Sequence, residues 1–251
     1  MIVRNILILF VFVSCYTESK GIYDNRRVTA MLLPRYFYSN NDPELYQYLL
    51  TQTHREKHFE TGDYLWKPGE LINRVYYIKS GVAVISVEHE NGRKKILRFA
   101  GAGSIYPGCH NSQFKIEMSI TARAVSPMDT LEFQREDFYR MFQMNSRLNG
   151  FMFESYAMYI NLLLYESAHQ GYNDSFVKLC NLLYLFAQNR KKSTVELTQE
   201  NLADILAVNR VNVAKNLAIL REKGIIRSHR KSLEILDMKK LEELCSVETQ
   251  D

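Results

Sequence analysis

The sequence predicts an α+β fold: an antiparallel β-roll of jelly-roll type, then a long helix, then two short helices closed by a small hairpin. Three stretches carry this expectation. Between Lys57 and Gln134, short alternating runs are separated by glycine-containing turns. From Ser146 to Gln170, apolar residues recur at helical spacing without a break. From Leu197 to Ile226, LTQENLADILAVNRVNVAKNLAILREKGII, two short helices fit around a tight turn. These stretches divide the chain into an apolar extension over 1–30, a β-roll over 31–145, a long helix over 146–170 and a C-terminal module over 171–251.

Taken in order, Asp42 to Thr51 reads as a short helix carrying Leu45, Tyr48 and Leu49. Glu60-Thr61-Gly62-Asp63 is a turn, Tyr64-Leu65-Trp66 a strand, and Lys67-Pro68-Gly69-Glu70 stops it. Val75 to Lys79 and Val82 to Val87 alternate around Ser80-Gly81. Asn91-Gly92 is a strong hairpin signal leading into Lys95 to Phe99. Ile116 to Ala124 and Thr130 to Phe133 complete the strands, and Arg135 to Met141 begins helical structure. Along the long helix, Leu148, Met152, Tyr156, Ile160 and Leu163 form a stripe rich in large side chains. A second copy of the same helix is its natural partner, which predicts a homodimer. Gly171 to Asp174 is the expected hinge, and Ser175 to Gln188 the next helix.

The C-terminal module carries the chemistry. Thr198 and Asn209 are good N-caps for the two short helices, and Leu197 and Leu202 have the spacing of a hydrophobic staple. Val213, Leu217 and Leu220 face inward, and Gly224 suits the position just past the helix end. Arg210, Val211, Asn212 and Lys215 are left on the outer face, which a helix-turn-helix lays in the major groove of DNA. An ordinary helical hairpin with a solvated polar face is the plain alternative. Ile225 to Leu236 reads as a wing with Arg227, His229, Arg230 and Lys231 at its tip, and Asp237 caps a last helix. The formal charge of +4 argues little by itself, but ten Lys and Arg crowd residues 190–231 against four acids. That basic third is the footprint of phosphate contact. Arg210 and Lys215 are expected on bases, and Asn212, Thr198, Gln199, His229 and Arg230 on phosphates.

Other chemistries find little support. Cys15, Cys109, Cys180 and Cys245 are scattered, without the C-x-x-C spacing of a zinc or iron–sulfur site. A cupin-like enzyme or binding module would need converging ligands, and His54, His58, His89 and His110 lack that spacing. No Gly-rich phosphate loop or nucleophile motif occurs, so neither enzyme activity nor a cofactor is expected. At the N-terminus, Arg4 precedes the apolar run Ile6 to Val13 and then Ser14-Cys15. The run resembles a signal-peptide core and falls short of the roughly 20 apolar residues that span a bilayer. A membrane tether is one alternative. Translation from Met31, leaving an upstream extension, is favoured, because a DNA-binding protein must reach DNA in the cytoplasm.

A β-roll, a long helix and a winged helix-turn-helix, in that order, resemble the Crp/Fnr family of bacterial transcription regulators over roughly Met31 to Leu244. Phe59 to Asp63 with Lys67 to Glu70 looks like the family's first β-roll turn, and Val75 to Gly81 like its hallmark strand-turn. The resemblance implies a homodimer controlled by a small effector, acting on palindromic double-stranded DNA beside RNA polymerase. Two departures refine it. Nucleotide-binding members grip phosphate with a Gly-Glu pair and an Arg-Ser/Thr pair. Here those places read Ser104 to Cys109, without Glu, and Met118-Ser119, without Arg, which argues against cyclic AMP. Candidate effector contacts are Arg98, Tyr106, Ser119 and Arg123, with Tyr156 from the long helix; either arginine would pair with a carboxylate or phenolate. Second, Val211 stands where many members place Glu. Glu accepts from cytosine N4, whereas Val meets a thymine methyl, which points to an A·T-rich half-site. Val211 and the Tyr106-Pro107 turn are similar to the family's chlorophenol-responsive, organohalide-respiration branch.

Overall fold

The computed structural model describes residues 33–108, 114–190 and 192–250. The expectations for the N-terminal apolar segment, Cys15, Cys109, His110 and Lys191 lie outside these residues. In chain order the elements are β1 (Phe37–Tyr38), α1 (Pro43–Leu50), β2 (Arg55–Phe59), β3 (Tyr64–Trp66), β4 (Arg74–Ser80), β5 (Ala83–Glu88) and β6 (Lys94–Ala100). There follow β7 (Ile105–Tyr106), a 3-10 turn (Lys115–Ser119), β8 (Ile120–Ala124), β9 (Met128–Gln134), α2 (Arg135–Met144), α3 (Ser146–Tyr172) and α4 (Ser175–Arg190). The last part holds β10 (Thr194–Val195), α5 (Gln199–Leu206), α6 (Arg210–Glu222), β11 (Ile226–His229), β12 (Ser232–Ile235) and α7 (Met238–Glu242).

Two facing sheets make the roll. One has the order β1-β6-β5-β8-β3 and the other β2-β9-β4-β7. Between them lie Trp66, Tyr76, Ile78, Ile85, Tyr106 and Met128; between the second sheet and the helices lie Leu45, Leu49, Val75, Tyr77, Phe133 and Leu148. Strand β4 supplies both layers, because successive side chains alternate faces. That explains its unbroken buried run from Val75 to Ile78. Asp42 caps α1 by accepting from the Leu45 amide at 2.9 Å, and Arg147 at the start of α3 clasps the same carboxylate. This ties α1 to α3 across the helix layer.

Three expectations change. Ile116 to Ala124 is not one strand: Lys115–Ser119 forms a 3-10 turn in which Glu117 accepts from the Phe114 amide at 3.0 Å, and pairing starts at Ile120. Residues Gly171 and Tyr172 extend α3, so the link to α4 is only Asn173-Asp174. The long stripe does not share one environment. Leu148 and Met152 are buried against their own domain, while Ile160 and Leu163 are exposed. A strict four-residue step advances about 40° per step around an α-helix, so such a row winds off its starting face. The exposed seam is instead Phe153, Ala157, Ile160 and Leu164, in the 4-3-4 spacing of a coiled-coil edge.

Candidate nucleic-acid interface and effector pocket

The helix-turn-helix is built by its caps. The Thr198 hydroxyl accepts from the Asn201 amide at 3.1 Å, and the Asn201 side chain accepts from the Thr198 amide at 3.1 Å. Asn209 accepts from the Asn212 amide at 2.8 Å to start α6. Between the helices Ala207 turns the chain left-handed at φ 53°. Leu202, Ile205, Val213, Leu217 and Leu220 are buried, which leaves Arg210, Val211 and Lys215 exposed and Asn212 half-buried. Val211 is 61% exposed in the first turn of α6. Thr198 is exposed and Gln199 half-buried at the start of α5. In the wing, Arg227 and His229 both reach Glu234, each at 3.2 Å, while Arg230 and Lys231 occupy the exposed turn. Arg221 donates to Ser228 at 3.2 Å, so the wing is fastened to α6.

The module leans on the roll. Lys95 on β6 binds Glu166 of α3 at 2.5 Å and also donates to the Ile205 carbonyl. Gln170 donates to the Leu206 carbonyl at 3.3 Å. Both carbonyls belong to the last turn of α5, where backbone acceptors lack helical partners. The Tyr36 hydroxyl donates to Glu166, and burial beside that carboxylate pushes its pKa well up. Tyr36 stacks on Phe186 of α4 at 5.7 Å, with Phe99 edge-on at 6.0 Å. None of these long-range partners carries a sequence signal.

Within the roll, the predicted effector residues separate. The Arg98 guanidinium lies 4.9 Å from the Tyr106 ring centre and 4.6 Å from that of Tyr159 on α3. Its Nε is buried without a hydrogen-bond partner. Tyr106 stacks on Trp66 at 5.1 Å, and burial raises its pKa further than the Arg98 charge lowers it. Tyr156 stands over Gly108, which has a φ of +128°; a Cβ there would collide with the Tyr156 hydroxyl. Arg98 and Tyr106 therefore meet Tyr159 where the roll abuts α3, while Tyr156 packs over Gly108, two residues beyond Tyr106. The i+3 spacing of Tyr159 from Tyr156 was the sequence signal for it. Ser119 closes the 3-10 turn, half-buried. Arg123 belongs elsewhere. It pairs with Val84, whereas Arg98 pairs with Ile85, the next residue along β5. Neighbouring strand residues face opposite ways, so Arg123 points to the outer face of the sheet.

Two family models match this organisation. Residues 56–145 match the cyclic nucleotide-binding domain and residues 177–244 the Crp-like helix-turn-helix domain. The chain belongs to the Crp/Fnr family. A Crp/Fnr relative, the cAMP-activated global transcriptional regulator CRP of Salmonella typhimurium, is 20% identical over 198 residues, covering 76% of this chain and 93% of that one. CprK, solved in complex with OCPA, shares the fold with a TM-score of 0.66 at 19% identity, over 85% of this chain and 97% of that one. The c-di-GMP responsive regulator CLP of Xanthomonas campestris gives a TM-score of 0.69 at 15% identity, over 78% and 100%. Crp/Fnr proteins are transcription regulators, and an enzymatic or cupin-like reading of the roll is set aside. Among the described residues, no group of three or more His, Cys, Asp or Glu is placed to hold a metal, and no helix is long and apolar enough to cross a membrane.

Proposed function

We propose that this Crp/Fnr protein is a homodimeric, sequence-specific regulator, switched by an acidic small molecule other than cyclic AMP that binds between the roll and α3. The observation that carries the reading is Arg98: a guanidinium between Tyr106 of the roll and Tyr159 of α3, with a buried Nε lacking a partner. A buried donor in that state costs about 1–3 kcal/mol, which a carboxylate or phenolate would recover. Against cyclic AMP stand Tyr106-Pro107-Gly108 and the exposed Met118, where nucleotide-binding relatives place their phosphate grip. A ligand touching α3 touches the helix whose exposed seam suits a second copy. It reaches the DNA module through Glu166 and Gln170 of the same helix. The effector acts by preferring the DNA-competent arrangement.

On DNA, Arg210 and Lys215 meet base edges, Val211 meets a thymine methyl, and the helix starts and wing meet phosphates. The expected site is an A·T-rich palindrome beside a promoter, where RNA polymerase is an available partner, and the working compartment is the cytoplasm. The test is selection of bound fragments from a random DNA pool by the purified chain, alongside Lys215→Ala. A two-fold site whose base preference relaxes at one position in the variant supports the reading. A Lys215→Ala protein with unchanged affinity and preference overturns the assignment.

A further inference from the structure

The outer face of the β1-β6-β5-β8-β3 sheet is partly covered by the C-terminal helices. With α4 and the start of α5 it forms a partly open cleft of about 340 Å³. Its walls mix apolar side chains, Val84, Ile96 and Phe99 on the sheet and Phe186 and Leu197 opposite, with polar ones, Ser126, Glu196 and Asn201 among them. Three cations enter it. Arg190 is already satisfied, by Glu196 at 3.1 Å and by the Phe37 ring at 5.3 Å. Lys94 and Arg123 are not: among the described residues neither side chain makes a hydrogen bond or an ion pair. Glu88, Glu200 and Asp204 act on Lys94 only at a distance. Burial first, and the charge of Arg123 second, pull the Lys94 pKa down. Two like charges facing each other over an apolar floor repel, and a shared counter-ion removes both penalties.

We propose that this cleft is a second ligand site, taking a small amphipathic carboxylate whose head bridges Lys94 and Arg123 and whose hydrocarbon body rests on Val84, Ile96 and Phe99. Arg123 offers the planar fork that matches a carboxylate with two parallel bonds, and Lys94 adds a point charge. The volume lies at the small end of ordinary ligand sites. The floor of Val84, Ile96 and Phe99 favours an acid with a hydrocarbon body over a fully hydrated anion such as phosphate. The site is separate from the Arg98 pocket, because the sheet itself lies between them. Both the roll and the DNA module line it, so an occupant stabilises their contact.

The test is isothermal titration of the full chain with hexanoate and with benzoate, using hexanamide and inorganic phosphate as controls. Saturable binding of at least one acid is expected, with no binding of the neutral amide. Arg123→Gln should weaken it at least tenfold, in line with loss of charge-assisted bonds. Lys94→Gln should weaken it less, and Arg123→Lys should recover part of the affinity. Arg98→Lys should leave it unchanged. Thermal unfolding of each variant without ligand checks that the fold is intact. Absence of saturable binding by either acid overturns the proposal, as does binding indifferent to both cleft variants. Binding that follows Arg98→Lys places the anion in the Arg98 pocket instead, with the same consequence. Phosphate bound at Lys94 and Arg123 while neither acid competes also overturns it.

Discussion

Lys95→Met tests whether the DNA module is held to the roll by one cation. The methionine keeps most of the side-chain stem, so the change removes mainly the ammonium. In the parent that ammonium lies 2.5 Å from Glu166, with side chains 27% and 15% exposed. Exposed pairs contribute about 0–1 kcal/mol, and breaking a buried one costs ~3–5 kcal/mol. This pair lies between, and the Ile205 carbonyl loses its donor as well, so a loss of about 2 kcal/mol is expected. For a chain of this size that corresponds to a fall in Tm of roughly 4–8 °C. The assay is thermal unfolding by circular dichroism of Lys95→Met, Glu166→Gln and the double variant. Because the two groups share one bond, the double variant should lose less than the sum of the singles, by about 1 kcal/mol or more. Single variants within about 1 °C of the parent, or strictly additive losses, would refute the latch.

Three further outcomes follow from other parts of the molecule. Ile160→Asp with Leu164→Asp places charge on the exposed seam of α3 and should give a monomer by light scattering, with DNA affinity at least tenfold weaker; an unchanged dimer rules the seam out as the interface. Val211→Glu should move base preference at one position of each half-site from A·T toward C·G by about 1–3 kcal/mol, read by competition between paired oligonucleotides; an unmoved preference removes Val211 from the groove. His169 is 5% exposed and packs tilted against Tyr165, ring centres 3.9 Å apart, and burial lowers its pKa from the ordinary 6.5. The folded chain therefore binds that proton less readily than the unfolded chain. The stability this represents is full above about pH 6.5 and is lost as pH falls through the folded value. His169→Gln should flatten the acid side of the Tm-versus-pH curve, and an identical slope in the variant would show that another group titrates.

The parts legible in the sequence are those specified by neighbours along the chain. Thr198 with Asn201, Asn209 with Asn212 and Gly224 define the helix-turn-helix within a few residues each, and Asn91-Gly92 defines its hairpin. What stayed hidden depends on partners far apart. Strand β1 has two residues, too few to show a period, and it pairs in parallel with β6, 62 positions further along the chain. Lys95 finds Glu166 and Ile205, 71 and 110 positions away. Arg98 and Arg123 looked equivalent because each lies in a strand with alternating neighbours. Only their pairing to adjacent residues of β5 shows that they face opposite ways. The register shift between Ile85 and Ser86 makes counting along β6 alone unsafe. The α3 stripe misled for a different reason: four-residue spacing looks like a face over two turns and winds away over four.

Gly108 and Tyr156 have a consequence for how this chain can diverge. The phenol fills the space that a side chain at 108 would need, so the two positions share a single volume. Neither can drift alone. An alanine at 108 displaces the phenol or pushes α3 outward, and a smaller residue at 156 opens a void beside Gly108, two residues from Tyr106. Descendants with a different effector would therefore be expected to exchange these two residues as a pair, and the size of the pair would record the size of the signal.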